Sequence, residues 1–230
     1  MKKQRYKTLI FDLDDTLLNF KSAENQALTA LFGEFSIESN QKVFHDFSIF
    51  NESLWKKLER KKITRSQLFQ ERFHIFFKHY FNIEVDGMSC SNRYLSYLSR
   101  GHEEISGARE TLSQLYSTKK ELFLATNGVS FVQERRLREA KMAEFFDQVF
   151  VSEKIGFDKP DRKFFEYVFH HSDALPEKAV IIGDSLSSDI LGGSNAGIDT
   201  IWFNPRNIPN HSQIAPTHEV GTLAELLQFV

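Results

Sequence analysis

Seven polar residues of types that do chemistry follow predicted strands or lie between them. They are Asp12, Asp14, Thr126, Asn127, Lys159, Asp184 and Asp189. If the carboxylates of Asp12, Asp14 and Asp184 converge, their negative charges repel one another unless a cation lies among them. Carboxylate oxygens are hard ligands of the kind that Mg²⁺ prefers. The residue types and their placement therefore predict a Mg²⁺ site.

The same set contains groups that can bind an anion beside such a cation. Lys159 offers an ammonium group, Thr126 a hydroxyl and Asn127 a backbone N–H. Carboxylates, Mg²⁺, a lysine and a hydroxyl together are typical of a phosphoryl-transfer site. A carboxylate can also be the nucleophile, because an aspartyl-phosphate divides one difficult displacement into two easier ones. Helix capping is the simpler alternative for Thr126 and Asn127, and it stays open at this point.

Strands alternate with helices in the part of the sequence that must position these residues. The predicted strands cover residues 6–11, 121–126, 148–151, 179–183, 200–203 and, at an edge of the sheet, 217–220. The predicted helices cover residues 107–118, 130–141, 162–171, 188–196 and 222–229. This alternation predicts an α/β fold with a parallel sheet. Such sheets bind ligands outside the carboxyl ends of their strands, which is where the polar residues fall.

Residues 17–97 follow a different pattern, without the alternation of a strand. Their apolar residues recur at helical spacing, and Thr64 with Gln67 forms a predicted capping box. The helix after that box places five aromatic residues on one face, namely Phe69, Phe73, Phe76, Phe77 and Tyr80. We therefore predict two domains, an α/β core of residues 1–16 and 98–230 and an inserted all-helical domain of residues 17–97.

The composition excludes several classes of protein. The chain has 230 residues, of which 41% are hydrophobic and 26% charged, and these values are typical of a folded protein. A net charge of −2 disfavours nucleic acid or an anionic membrane as a partner. No apolar run approaches the roughly 20 residues of a membrane span, and the opening residues do not form a secretory leader. The single cysteine excludes an internal disulfide and a cysteine-based zinc site. We expect a cytoplasmic monomer that acts on a small molecule.

Four short motifs resemble those of the haloacid dehalogenase (HAD) superfamily. In chain order they are Asp12-Leu13-Asp14-Asp15-Thr16, Thr126-Asn127, Lys159-Pro160, and Gly183-Asp184-Ser185 with Asp189. The resemblance spans nearly the whole chain and implies a Rossmann-like core. Residues 17–97, between the first and second motifs, are similar in position and character to the family's helical C1 cap, which would close over the substrate.

For the acidic residues, the resemblance implies distinct roles. Asp12 is the expected nucleophile. Asp14 is the expected acid and base, which protonates the leaving oxygen and then deprotonates the attacking water. Mg²⁺ would be held by Asp12, by the backbone carbonyl of Asp14 and by Asp184.

The remaining motif residues are implied in binding the phosphoryl group. Thr126 would contribute its hydroxyl, Asn127 its backbone N–H and Lys159 its ammonium group. Asp189 is expected to support the site through Lys159 or a water molecule, or to cap the next helix. These expectations make the chain a Mg²⁺-dependent phosphatase.

A narrower resemblance concerns the leaving group of the substrate. Five segments resemble the pyrimidine 5'-nucleotidases of the YjjG and YfnB type, namely Leu54-Trp55, Ile63-Thr64, Arg72-Phe73, residues 188–197 and Ala215-Pro216-Thr217. This resemblance implies nucleoside 5'-monophosphates such as dUMP, dTMP and UMP as substrates. An aromatic residue can stack on the base, and the candidates are Phe20, Trp55 and Phe73.

Four other functions are alternatives to this one. A phosphatase for a small sugar or glycolate phosphate would keep every core residue, and a mutase would share them too. A non-catalytic binding protein with the same fold stays open, although it would be expected to lose Asp12, Asp14 or Lys159. A dehalogenase is disfavoured because it lacks the second aspartate, which is present here as Asp14.

Overall fold

The structure is a computed structural model, and it describes residues 6–229. These residues divide into two compact units, one of residues 6–20 and 102–229 and the other of Lys21–Gly101. The divisions after residues 20 and 101 each lie four residues beyond the predicted domain boundaries, after 16 and 97. Residues 1–5 and 230 of the predicted core domain lie outside the described residues.

A parallel sheet of six strands forms the framework of the first unit. Its strands are β1 (Thr8–Phe11), β2 (Glu121–Thr126), β3 (Gln148–Val151), β4 (Ala179–Gly183), β5 (Asp199–Phe203) and β6 (His218–Val220). They lie in the order β3-β2-β1-β4-β5-β6, and every neighbouring pair is parallel. The predicted Rossmann-like parallel sheet is thereby confirmed.

Helices flank this sheet and build the second unit. In chain order they are α1 (Phe20–Gly33), α2 (Gln41–Glu59), α3 (Arg65–Phe81), α4 (Gly87–Leu98), α5 (Ala108–Ser117), α6 (Ser130–Glu139), α7 (Ser152–Ile155), α8 (Arg162–His170) and α9 (Leu191–Ala196). The second unit is made of α1 to α4, which confirms the helical prediction for this part of the sequence. Within residues 6–229, no helix is both long and apolar enough to cross a membrane.

Alternate residues of the central strands enter two separate hydrophobic clusters. In β1, Leu9 and Phe11 belong to one cluster and Ile10 to the other, since successive side chains of a strand point to opposite faces. Leu112 of α5 joins the first cluster and Phe164 of α8 joins the second. Both faces of the sheet are therefore covered, which is why its strands are continuous apolar runs in the sequence.

The aromatic helix α3 begins and packs largely as its sequence predicts. The hydroxyl of Thr64 accepts a hydrogen bond from the backbone N–H of Gln67, whose side chain accepts one from the N–H of Thr64, so the capping box is formed. Phe73, Phe76 and Phe77 are buried. The predicted stripe is buried only along its centre, because Phe69 is half-buried and Tyr80 is exposed.

Several short elements differ from the sequence-based prediction. The first strand begins at Thr8 rather than Tyr6, and the short helix α7 was not predicted. A π-helical turn, Leu186–Ile190, precedes α9 where one helix of residues 188–196 was expected. The expected last helix is the 3₁₀ segment Leu223–Gln228. Periods of 3.0, 3.6 and more residues per turn cannot be told apart over segments this short, which explains the π-helical turn and the 3₁₀ segment.

Candidate active site

The carboxyl ends of three neighbouring strands bring the predicted polar residues together. Asp12 follows β1 directly, Thr126 ends β2, and Asp184 follows β4 directly. Strand β1 lies between β2 and β4, so the chain winds outward in opposite directions from this point. This is the topological switch point, where open α/β sheets bind their ligands.

Lys159 lies at the centre of the polar residues. Its side chain is 1% exposed, and Nζ donates hydrogen bonds to Asp12 Oδ1 at 2.8 Å and to Asp189 Oδ1 at 2.6 Å. A third hydrogen bond runs to the backbone carbonyl of Ala125 at 2.5 Å. Burial opposes the charged ammonium group, but the carboxylates of Asp12 and Asp189 outweigh it and raise the pKa of Lys159 above its ordinary value. Lys159 is therefore a fixed positive charge at neutral pH.

Asn127 holds the backbone of Lys159 with its side chain. Its Oδ1 accepts from the N–H of Lys159 at 2.8 Å, and its Nδ2 donates to the carbonyl of Lys159 at 2.8 Å. Nδ2 also lies 3.2 Å from Ser188 Oγ. The side chain of Asn127 thus positions the lysine, while the expected contact of its backbone N–H with a phosphoryl group stays a prediction.

The structure excludes helix capping by Thr126 or Asn127. The N-cap residue of α6 is Val129, whose side chain makes no capping hydrogen bond, and the N–H of Ser130 donates instead to Glu153 Oε2 at 2.8 Å. The hydroxyl of Thr126 instead accepts hydrogen bonds from Gln133 Nε2 at 2.8 Å and from the N–H of Gly128 at 3.2 Å. A hydroxyl that accepts in this way can still donate its own proton, as the phosphate-binding prediction requires.

The carboxylates of Asp12, Asp184 and Asp189 form an acidic cluster. One oxygen from each lies within 4.8 Å of the others. Burial raises the pKa of Asp12 to about 7, because Lys159 offsets only part of the effect of burial and neighbouring acids. Burial also raises the pKa of Asp184, and the charges of Asp189 and Asp12 add to the rise. Three carboxylates facing one ammonium group have the oxygen ligands and the excess negative charge that fit a divalent cation.

The carboxylate of Asp14 is bound by residues of α6. Gln133 Nε2 donates to Asp14 Oδ2 at 2.7 Å, and Arg136 Nη1 donates to Asp14 Oδ1. The side chain of Asp14 is 28% exposed, whereas that of Arg136 is fully buried. The Mg²⁺ ligand expected from Asp14 is its backbone carbonyl, and that assignment stays a prediction.

Gln133 and Arg136 are the residues of this site that the sequence analysis missed. The signal is present in the sequence of α6 and its flanks, where buried residues recur at helical spacing. They are Val129, Val132, Gln133, Arg136, Leu137 and Ala140. Because Gln133 and Arg136 share a face with apolar residues, their positions mark them as buried polar groups that need partners.

Asp189 depends on a glycine for its place beside Lys159. Its Oδ2 accepts a hydrogen bond from the N–H of Ser185 at 3.1 Å while its Oδ1 binds Lys159. A Cβ atom on Gly183 would lie 2.2 Å from Asp189 Oδ2 and 2.3 Å from its Cγ. The carboxylate of Asp189 therefore occupies the space that any larger residue at position 183 needs.

Gly183→Ala is expected to lower the free energy of unfolding by about 1–3 kcal/mol, because the added methyl group displaces a buried carboxylate that is bound to Lys159. Chemical denaturation of the purified protein measures this change. Gly33→Ala is the matched control, since no atom lies within 4 Å of the Cβ added there. If both variants unfold at the same denaturant concentration, the contact between Gly183 and Asp189 does not constrain the site.

The three aromatic residues considered for base stacking have different environments. Phe73 is fully buried and packs against Phe47 at a ring distance of 5.2 Å, so the expectation that it stacks on a ligand is wrong for this conformation. Trp55 is half-buried, with the guanidinium of Arg65 over its ring. Phe20 is also half-buried.

Fold and site together define an α/β protein with an acidic, lysine-centred site at its switch point. A family model described as haloacid dehalogenase-like hydrolase matches residues 9–203. The chain belongs to this family of hydrolases. A crystal structure of the HAD-hydrolase YfnB from Bacillus subtilis, bound to magnesium, superposes with a TM-score of 0.92 at 40% identity, covering 97% of this chain and 98% of that one.

Two named enzymes are similar over nearly the full length of the chain. Pyrimidine 5'-nucleotidase PynA from Streptococcus pneumoniae is 43% identical over 223 residues, which cover 96% of this chain and 94% of that protein. Pyrimidine 5'-nucleotidase YjjG from Escherichia coli is 30% identical over 223 residues and covers 96% of each chain. The predicted family and the narrower resemblance are both confirmed.

Proposed function

We propose that this protein is a Mg²⁺-dependent phosphatase that hydrolyses pyrimidine nucleoside 5'-monophosphates such as dUMP, dTMP and UMP. The observation that carries the proposal is the buried Lys159 between Asp12 and Asp189 at the switch point of the sheet. That arrangement supports phosphoryl transfer. The preference for pyrimidine nucleotides is inferred from the names of the relatives PynA and YjjG, which are pyrimidine 5'-nucleotidases. In this proposal the helical unit Lys21–Gly101 is the cap domain.

In the first step of the proposed reaction, a carboxylate oxygen of Asp12 forms a bond to phosphorus. The bond from phosphorus to the ester oxygen of the nucleoside breaks, and Asp14 gives a proton to that oxygen. The ammonium group of Lys159 offsets the negative charge on the phosphoryl oxygens, and the hydroxyl of Thr126 donates a hydrogen bond to one of these oxygens. The products of this step are the free nucleoside and an aspartyl-phosphate on Asp12.

In the second step, water hydrolyses the aspartyl-phosphate. The water gives a proton to Asp14, its oxygen bonds to phosphorus, and the bond from phosphorus to Asp12 breaks. Inorganic phosphate leaves and both aspartates regain their starting states. When bound by Asp12, Asp184 and the backbone carbonyl of Asp14, Mg²⁺ supplies positive charge that stabilises the transferring phosphoryl group.

Phosphate release from matched substrate pairs tests this function. We expect kcat/KM for dUMP to exceed that for deoxyribose 5-phosphate, which lacks only the base, by about tenfold or more. UMP and ribose 5-phosphate form the second pair, and dAMP tests the preference for pyrimidines. Each rate is measured with Mg²⁺ and with EDTA, and EDTA is expected to abolish release.

The outcomes of this assay separate the alternatives. Equal rates for the nucleotide and for the phosphate without a base would keep the chemistry and contradict the nucleotidase assignment. An isomerised product without free phosphate would identify a mutase. If folded protein with Mg²⁺ releases no phosphate from any substrate, a binding function replaces the proposal.

A further inference from the structure

Arg136 is a buried cation that the proposed reaction does not use. Its side chain on α6 is 0% exposed, and its Nη1 donates hydrogen bonds to Asp14 Oδ1 and to Gln133 Oε1, the latter at 3.2 Å. A charged group removed from water is costly unless it is paired and hydrogen-bonded. Asp14 supplies both the opposite charge and the hydrogen-bond acceptor.

Gln133 binds two of the proposed functional groups at once. It is 2% exposed, and its Nε2 donates to Asp14 Oδ2 at 2.7 Å and to Thr126 Oγ1 at 2.8 Å. The side-chain amide of Gln133 therefore connects the carboxylate of Asp14 with the hydroxyl of Thr126.

Together the two residues bind both oxygens of one carboxylate. Arg136 donates to Oδ1 of Asp14 and Gln133 donates to Oδ2. The carboxylate therefore cannot rotate about its Cβ–Cγ bond or change rotamer without breaking a hydrogen bond. Asp14 itself is partly exposed and lies on a loop, where a side chain without such partners keeps its rotational freedom.

We infer that Arg136 and Gln133 are positioning residues that hold the carboxylate of Asp14 in place for its proton transfers. Gln133 also keeps this carboxylate at a fixed distance from the hydroxyl of Thr126. This inference rests on the proposed function, because it assumes that Asp14 transfers protons. Neither residue needs to touch the substrate. Their loss acts through the orientation of Asp14, and misplacing a reacting group by about 1 Å can cost about 10²-fold in rate.

The test compares two arginines of the same helix. Arg136→Met is expected to lower kcat on dUMP by about 10- to 100-fold while KM changes less than about threefold, because proton transfer is impaired and substrate binding is kept. Arg138→Met is the matched control, since the Arg138 side chain is 70% exposed, and its kcat is expected to equal that of the wild type. Arg136→Lys keeps the charge and is expected to restore part of kcat.

A double-mutant cycle shows whether the effect passes through Asp14. In an Asp14→Asn background, Arg136→Met is expected to lower the residual kcat less than about threefold, since the carboxylate that it positions is gone. Equal losses of kcat from Arg136→Met in the two backgrounds would overturn the inference, as would a kcat for Arg136→Met that matches Arg138→Met.

A second variant, at the uncharged residue Gln133, controls for loss of folding. Gln133→Met keeps the side-chain volume and the buried charge pair, so it remains informative if Arg136→Met does not fold. It is expected to lower kcat about 10-fold with little change in KM, and an unchanged kcat would count against the inference. If the wild type itself releases no phosphate, the proposed function and this inference fail together. An active wild type with unaffected variants removes the inference alone.

Discussion

Asp12→Asn is expected to lower turnover of nucleoside monophosphates by about 10⁴-fold or more, the scale seen when other enzymes lose their nucleophile. The amide that replaces the carboxylate has the same shape but no nucleophilic oxygen at neutral pH. The measurement is phosphate release under single-turnover conditions with Mg²⁺, on the wild type and the variant side by side.

The fold is expected to survive this substitution. Burial and neighbouring acids raise the pKa of Asp12 to about 7, so the fold holds this charge at a cost, and the amide of Asn keeps the shape of the side chain without that charge. Lys159 keeps Asp189 and the carbonyl of Ala125 as acceptors. Asp173→Asn, at an exposed position, is the control for loss of one carboxylate. A variant that keeps more than about a tenth of the wild-type turnover would show that Asp12 is not the nucleophile.

Lys159→Met is expected to lower the free energy of unfolding by about 3–5 kcal/mol, as well as turnover. The substitution removes the buried ammonium group and leaves Asp12 and Asp189 facing each other without their cation, and breaking a buried ion pair from one side has a cost of this order. Denaturant unfolding in the presence of EDTA measures the loss, since no divalent cation can then replace the ammonium group.

The control for Lys159→Met lies four residues away. Lys163 is exposed on α8, with its ammonium group 5.1 Å from the ring centre of Phe157, so Lys163→Met removes the same charge without uncovering buried carboxylates. We expect its effect on stability to stay within about 0.5 kcal/mol. Equal stabilities of the two variants would mean that Lys159 does not neutralise the acidic cluster.

Much of the architecture follows from the sequence alone. The apolar runs ending at Phe11, Thr126 and Gly183 predicted the three strands whose carboxyl ends form the site. Buried parallel strands and helices with one apolar face have distinct periods, so local pattern is enough to locate them. The π-helical turn Leu186–Ile190 has only five residues, and a segment of this length is too short for its helical period to be determined from sequence.

The sequence also indicates which residue types the site contains, because Asp12 and Asp184 directly follow recognisable strands and Lys159 stands in a recognisable motif with Pro160. The hydrogen-bond partners that position these side chains follow from the tertiary structure alone. The hydrogen bonds from Gln133 and Arg136 to Asp14 join residues 119 and 122 positions apart, and the contacts of Asn127 with Lys159 span 32 positions. No local propensity acts over such separations. The strand order of the sheet and the facing of α6 create these contacts, and both are set by packing of the whole unit rather than by any segment.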